Sequence, residues 1–310
     1  MPSEPVSVTI CIATFRRPQS LSRLLLSVET ITVPAATEVL IVIVDNDSGC
    51  SAREIVADFS KRSRFPVAYA VEAEQNISRA RNRCVELAKG DYIAFVDDDE
   101  EVSSGWLAAL LAAAARFDAD AVFGPVLYTL PSGAPDWVRE GNFYKVRRMP
   151  TGTPVTAGGT GNALVRSSIL KRLPGLFDPA FGLTGGEDYD LFTRLRENGA
   201  VFCWCDEAVI LEHVGEERLS IRYLLGRALR GGQQFAVLRL ARMGRVERAS
   251  WFLYRLLLTV IASAGTICSL PLGRKRWVRW MQKIWSNMGQ LSALTRFRYE
   301  QYGERTNPPR

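Results

Sequence analysis

Tyr92-Ile93-Ala94-Phe95-Val96-Asp97-Asp98-Asp99 is the stretch that decides the fold. A short apolar run with β-branched and aromatic residues after Gly90 predicts a buried strand. Three carboxylates follow where that strand stops. In open α/β sheets, ligands collect beyond the carboxyl ends of the strands. On an extended backbone Asp97 and Asp99 share one face. Two same-facing carboxylates suit a hard divalent cation that also grips phosphate oxygens. The plain alternative is a solvated acidic loop, because Glu100 and Glu101 continue the charge.

The rest of the chain sets this strand in an α/β pattern. Val6–Ala13, Val39–Val44, Val67–Val71, Asn162–Val165, Val201–Trp204 and Val209–Leu211 read as further strands. Between them lie a helix opened by Pro18 and carrying Leu21, Leu24, Leu25 and Val28, a helix over 77–88 and one over 107–117. Strands alternating with helices at this spacing predict βαβ units and a mostly parallel sheet with helices on both faces. Residues 131–160 are rich in Pro, Gly and Thr and predict a long loop of the kind that is usually functional or disordered. A glycine-rich turn, Gly182-Leu183-Thr184-Gly185-Gly186, leads into Glu187-Asp188-Tyr189-Asp190, which opens a helix through Leu195.

Charge divides the chain. Residues 216–310 hold 18 Lys and Arg against five Asp and Glu, a net of +13. The remaining 21 against 28 leaves residues 1–215 at −7. An acidic body and a basic extension imply two different tasks. We therefore expect a catalytic domain over 1–215 and a helical, membrane-associating extension over 216–310. Trp251–Leu272 carries one charge, Arg255, and is long enough to cross a bilayer. Basic clusters flank it on both sides, which disfavours a single crossing and favours a re-entrant or in-plane helix. A core helix of a helical subdomain is the alternative. Six cysteines without a CxxC pair argue against zinc and for reduced thiols. The start, Met1-Pro2-Ser3-Glu4-Pro5, has no signal-type apolar core, so the body is expected in the cytoplasm.

Four features occur in order: Thr14-Phe15-Arg16-Arg17 after the first strand, Asp45-Asn46 after the second, Asp97-Asp98-Asp99, and Gly185-Gly186-Glu187-Asp188-Tyr189-Asp190. In this order and spacing the chain resembles the family 2 glycosyltransferases of the GT-A fold over about residues 6–235. Asn76-Ile77-Ser78-Arg79-Ala80-Arg81-Asn82 and Gly186-Glu187-Asp188 resemble, more narrowly, bacterial exopolysaccharide glucosyltransferases of the succinoglycan type.

The resemblance implies roles. Thr14 and Arg16 line the nucleotide pocket. Asp45 reads uracil or ribose, unless it only turns the strand end with Asn46 and Ser48. Arg81 and Asn82 reach the base or diphosphate, or form a solvated helix face. Asp99 is the direct metal ligand, Asp97 faces ribose or metal, and Asp98 contacts the donor or orients its neighbours. Asp188 is the base, Glu187 binds acceptor and Asp190 is structural; the alternative is that all three only cap the helix. His213 is either a third metal ligand or a packed imidazole. Arg227 and Arg230 contact diphosphate or form a basic face, and Asn162 and Gly186 complete the acceptor side. The family pattern Asn-x-Gly is Asn76-Ile77-Ser78 here.

The resemblance further implies Mn2+ or Mg2+ and an inverting transfer of a hexose, with UDP-glucose favoured. The expected partners are a nucleotide-sugar donor, a polyprenyl-diphosphate-linked oligosaccharide acceptor and an anionic membrane surface, with no nucleic acid. The site would work at the cytoplasmic face of a bacterial inner membrane. A sugar nucleotidyltransferase is the alternative enzyme, but it should carry glycines where Thr14-Phe15-Arg16-Arg17-Pro18 has none. A catalytically dead, membrane-bound scaffold is the non-enzymatic alternative, and the intact Asp97, Asp99 and Asp188 speak against it.

Overall fold

The computed structural model describes residues 5–295 and Tyr299. The reading of the N-terminus at Met1–Glu4, and the end of the basic extension at 296–298 and 300–310, lie outside the described residues. The elements are, in order, β1 (Val6–Thr14), α1 (Pro18–Glu29), β2 (Thr37–Asp45), α2 (Arg53–Ser60), β3 (Val67–Val71), α3 (Ile77–Leu87), β4 (Tyr92–Val96), β5 (Glu100–Val102) and α4 (Trp106–Arg116). Then follow β6 (Ala121–Phe123), β7 (Val126–Thr129), α5 (Asp136–Arg139), β8 (Asn162–Arg166), α6 (Ser167–Leu170), α7 (Glu187–Glu197), β9 (Phe202–Trp204), β10 (Ile210–His213), α8 (Ile221–Ala241), α9 (Arg245–Ser269) and α10 (Arg274–Ser292).

The chain divides into two compact units. The first comprises 1–128, 146–183 and 187–213. Its main sheet has seven strands in the order β3-β2-β1-β4-β8-β6-β9. All neighbours are parallel except β8, which runs antiparallel to β4 and to β6. Successive side chains of one strand feed two different cores. Ile10, Ile12, Ile41 and Ile43 pack with Leu21, Leu24, Leu25, Trp106 and Leu110 of α1 and α4. Cys11, Val42, Val44 and Phe95 pack with Ala80 and Cys84 of α3 and Leu191 and Phe192 of α7. Coverage on both faces is why these strands are apolar throughout and do not alternate. A small second sheet, β5-β10-β7, was not foreseen. Its strands are only three or four residues long and one of them is Glu100-Glu101-Val102, which carries no apolar periodicity. His213 ends β10 as its last residue.

The second unit comprises 129–145, 184–186 and 214–310. The segment 129–145, most of which falls in the long loop expected over 131–160, groups here through contacts made by its own polar groups. Tyr144 donates its hydroxyl to Arg218 O at 2.6 Å, Lys275 reaches Glu140, and Arg279 donates to Gly141 O at 2.9 Å. Helices α8 and α10 meet at glycines: a Cβ at Gly289 would fall on Leu229 O, and one at Gly232 on Ser286 O. Gly265 of α9 lies against the Trp280 ring of α10 in the same way.

Gly289→Ala should therefore overpack the α8–α10 seam and cost about 1–3 kcal/mol. Gly231→Ala, where an added Cβ meets nothing within 4 Å, should be neutral or stabilising by roughly 0.5–1 kcal/mol, because alanine loses less backbone entropy in a helix. Thermal unfolding of the two variants should move the midpoint in opposite directions.

Candidate functional site

The acidic triplet is a turn, not an extension of β4. Val96 is the last β4 residue to pair, opposite Asn162, and Glu100 N donates back to Asp97 O at 3.3 Å. Strand alternation therefore does not set which way the carboxylates face. Burial divides them instead. The Asp97 side chain is 43% exposed and Asp99 17%, against 7% for Asp98. Glu100, which on the alternative reading continues a solvated acidic loop, is buried and accepts Asp97 N at 2.9 Å. Burial pushes the Asp98 carboxyl up to about 6 against the pull of Arg17, and pushes Glu100 well above the usual range with Asp97 adding.

The first loop closes over this turn. Thr14, buried at the end of β1, donates its hydroxyl to Asp98 Oδ2 at 2.7 Å. Arg17 Nη1 lies 3.1 Å from both Asp98 Oδ1 and Asp99 Oδ2. Thr14 and Asp98, read as donor contacts, are thus bonded to each other. Arg16 sits at φ +52, left-handed for a side chain that has a Cβ, and its Nε meets Asp47 Oδ1 at 3.1 Å. Asp45 is fully buried. It accepts Asp47 N at 3.1 Å, Ala52 N at 2.8 Å and the Tyr69 hydroxyl at 3.0 Å. Its carboxylate organises the strand-end turn.

Arg81 is not on a solvated helix face. It is buried on α3, with Nη2 2.9 Å from Asp97 Oδ1 and Nη1 bonded to Glu187 Oε1. Neighbouring Asn82 ties α3 to Phe177, donating to its O at 2.8 Å and accepting its N at 2.9 Å. Glu187 opens α7, sealed from solvent, and its Oε2 is buried with no hydrogen-bond partner among the described residues. Burial pushes Glu187 up to about 7, with Arg81 opposing and Asp188 adding. Asp188 is half-buried and also raised, by burial first, against Arg81 and the backbone N–H of Tyr189. Asp190 pairs with Arg194 at 2.8 Å, one helical turn on.

Glycines leave room in front of these acids. A Cβ at Gly159 would stand 2.9 Å from Asp188 Oδ2, and one at Gly161 3.4 Å from Asp97 Oδ2. The same segment lines a cavity of about 340 Å3 with Phe123, Trp204 and Arg147, whose guanidinium stacks 5.7 Å from the Trp204 ring. Asn162 also lines it, but both its amide donors are taken, by Pro125 O at 3.1 Å and Ala208 O at 2.7 Å, and its Oδ1 accepts Trp106 Nε1 at 2.9 Å. His213 Nε2 meets Glu101 Oε1 at 2.9 Å. Gly186, Arg227 and Arg230 belong to the second unit. There Gly186 takes φ +99, and the two arginines stack on Tyr144 and on Tyr223 and Tyr299.

The model of the family described as Glycosyl transferase family 2 matches residues 9–173. The chain is 34% identical over 308 residues to the succinoglycan biosynthesis protein ExoM of Rhizobium meliloti (strain 1021), covering 98% of each. The chain belongs to glycosyl transferase family 2. Solved structures share the fold. S. aureus TarS 1-349 in complex with UDP-GlcNAc has TM-score 0.51 and 17% identity, over 97% of this chain and 98% of that one. GalNAc-T7 with UDP, GalNAc and Mn2+ has TM-score 0.55 and 16% identity, over 76% of this chain and 51% of that one. A transferase of this family is therefore at hand, rather than a sugar nucleotidyltransferase.

Among the described residues no three His, Cys, Asp or Glu side chains form a group that could hold a metal, so His213 does not complete a cage with Asp97 and Asp99. The donor set still fits a hard cation. Asp97 and Asp99 are the outward carboxylates, Gly161 leaves space beside Asp97, and Mg2+-type sites commonly combine one or two carboxylates with substrate phosphates. Arg17 and Glu100 escaped the reading of the sequence. Arg17 stood beside the Arg16 that was chosen, whereas nothing in a run of acids marks which members are buried.

The raised Glu187 carboxyl makes stability pH-dependent. The native group holds its proton up to about pH 7, whereas the unfolded chain releases it near 4.5, so its contribution is lost as pH rises between those values. Glu187→Gln should flatten the decline in stability between pH 5 and pH 7.5 by roughly 1–3 kcal/mol, measured by denaturant unfolding of both proteins at each pH.

Proposed function

We propose that this family 2 enzyme transfers a hexose with inversion from a nucleotide sugar, UDP-glucose favoured, to a polyprenyl-diphosphate-linked oligosaccharide during exopolysaccharide synthesis. The observation that carries the reading is the Arg81 clamp, which sets the first turn of α7, with Asp188, beside the acidic turn after β4. The part that ExoM plays in succinoglycan biosynthesis, with its 34% identity over nearly the whole of both chains, supports the exopolysaccharide assignment.

On this reading Asp97 and Asp99 hold Mn2+ or Mg2+, which when bound supplies positive charge to the leaving diphosphate. Thr14 and Asp98 fix the turn that presents Asp99. Asp188 takes the proton of the acceptor hydroxyl as its oxygen forms a bond to the anomeric carbon. The bond from that carbon to the diphosphate oxygen breaks, and the electron pair leaves with the nucleoside diphosphate. Burial that raises Asp188 makes it a better base. Glu187, locked to Arg81, positions α7 and is a poorer candidate for proton transfer. The cavity walled by Gly159 and Trp204 is suited to the acceptor sugar, since glycine permits close approach and an aromatic ring supplies an apolar face. Asp188→Asn should keep UDP affinity within about twofold while lowering kcat by ~10²–10⁴-fold, read as UDP release against calorimetric UDP binding. A fully active Asp188→Asn would remove the base from this site.

The second unit would hold the enzyme to the cytoplasmic face of the inner membrane. The apolar segment Arg245–Leu272 has only 17% of its most apolar window buried, and Leu253, Leu257, Val260, Ile267 and Leu270 are all more than half exposed. This favours membrane contact over a buried core helix. Both ends of α9 are tied into the same unit. Trp251 packs on Ala236 and Leu240 of α8, and beyond Gly273 the start of α10 holds Glu140 and Gly141. A helix of about 37 Å tied at both ends lies more readily in the plane of the bilayer than across it, with Arg274, Lys275 and Arg276 at the lipid headgroups. Leu253→Asp combined with Leu257→Asp should weaken co-sedimentation with phosphatidylglycerol vesicles and leave only binding that 0.5 M salt removes. In the unsubstituted protein, 0.5 M salt should remove only part of the binding, because salt screens charge but not apolar burial.

A further inference from the structure

Arg17 does something in this site that one cation in a nucleotide-sugar transferase would be expected to do. Its Nη1 bridges a buried carboxylate, Asp98, and the outward Asp99, at 3.1 Å from each. The side chain is 45% exposed, at the N-terminal boundary of α1, on a stem of three methylenes. The other guanidiniums nearby are differently engaged, since Arg81 is sealed between Asp97 and Glu187, and Arg16 faces Asp47. We propose that Arg17 competes with the divalent cation for Asp99 and, once displaced, binds the diphosphate of the nucleoside-diphosphate donor. The proposal rests on the metal reading above and adds a residue to it.

The physical argument is charge and shape. A divalent cation on Asp99 repels a guanidinium within a few ångströms, and Asp98, held by Thr14, stays behind as an anchor for the displaced side chain. A diphosphate arriving beside Asp97, Asp98 and Asp99 adds negative charge to a site already rich in it, so one divalent ion is a thin compensation. The guanidinium fork matches phosphate oxygens better than an ammonium does. The exchange couples the two ligands: the cation is opposed by Arg17 until diphosphate draws it off Asp99, and reciprocity then makes each ligand strengthen the other.

The test is Mn2+ binding to the purified full-length protein, followed by electron paramagnetic resonance of free Mn2+, with and without UDP. Arg17→Gln should bind Mn2+ alone about three- to fivefold tighter, the scale of a half-exposed ion pair. It should bind UDP in saturating Mn2+ about tenfold or more weakly, the scale of lost charge-assisted hydrogen bonds. Arg17→Lys should keep the competition with Mn2+ yet lose much of the UDP affinity. A bracing role alone predicts weaker Mn2+ binding in Arg17→Gln, and that result, or an unchanged Mn2+ affinity with unchanged UDP affinity, overturns the proposal. If the unsubstituted protein binds no Mn2+ even with UDP, the metal reading fails and takes this one with it.

Discussion

A guanidinium sealed between two carboxylates joins the end of β4 to the first turn of α7. Arg81 could not be buried alone, since an uncompensated charge in the interior costs several kcal/mol, and neither could Glu187. Each makes the burial of the other tolerable. Asp97 completes the arrangement at its solvent edge, where its half-exposed carboxylate remains available to ligand. The geometry of the site follows from this bond. Asp188 follows Glu187 in the first turn that this bond holds, and one Asp97 oxygen is taken by Arg81 while the side chain stays 43% exposed. Replacing such a pair by apolar residues of the same volume could preserve stability, but it would leave nothing to align α7 with the acidic turn.

The sheet was legible because covering it on both faces makes the central strands apolar on both faces and mostly β-branched, with no alternation of apolar and charged residues. The strands at Val6, Val39, Val67, Tyr92 and Asn162 appear within a residue or two of their expected limits. The acidic turn was legible as a place but not as a shape. Three aspartates after a strand say that something cationic is needed there; they do not say that Asp98 and Glu100 will turn inward. That is settled by Thr14 and by the Asp97 amide, partners 84 and three residues away. The same limit applies to Asp45, whose position at a strand end suggested a ligand contact while its carboxylate binds the Asp47 and Ala52 amides. Arg81 shows the reverse case. In the chain it stands between Arg79 and Arg83 and reads as one more polar residue, and only its distant partner Glu187 explains why it is buried.

The basic extension is built on a different principle. Its helices approach closely because glycine stands at the contacts, Gly232 and Gly289 between α8 and α10 and Gly265 under Trp280. Backbone-to-backbone contact of this kind needs little apolar side-chain area, so the large apolar residues of α9 remain exposed. A soluble helical subdomain would normally use that area for its own core. The apolar face and the surrounding Lys and Arg were both visible in the sequence as a run and its flanks. The glycine contacts that leave the face uncovered were not, because a glycine inside a helical run reads as a weakness and not as a seam.

Charge balance accounts for the state of the acidic site. Asp98, Glu100, Glu187 and Asp188 are all pushed toward protonation by burial, and Arg17 and Arg81 neutralise part of what remains. A diphosphate offered to such a site without a cation would meet carboxylates first. The attraction must therefore come with the ligand or from an arginine able to change partners. On the proposed reading both sources operate, and neither needs a three-ligand cage, of which there is none among the described residues. A cation held tightly by protein carboxylates alone would bind the diphosphate product as firmly as the donor. One held by two carboxylates and by the diphosphate itself would be released with the product, and Arg17 would then return to Asp99.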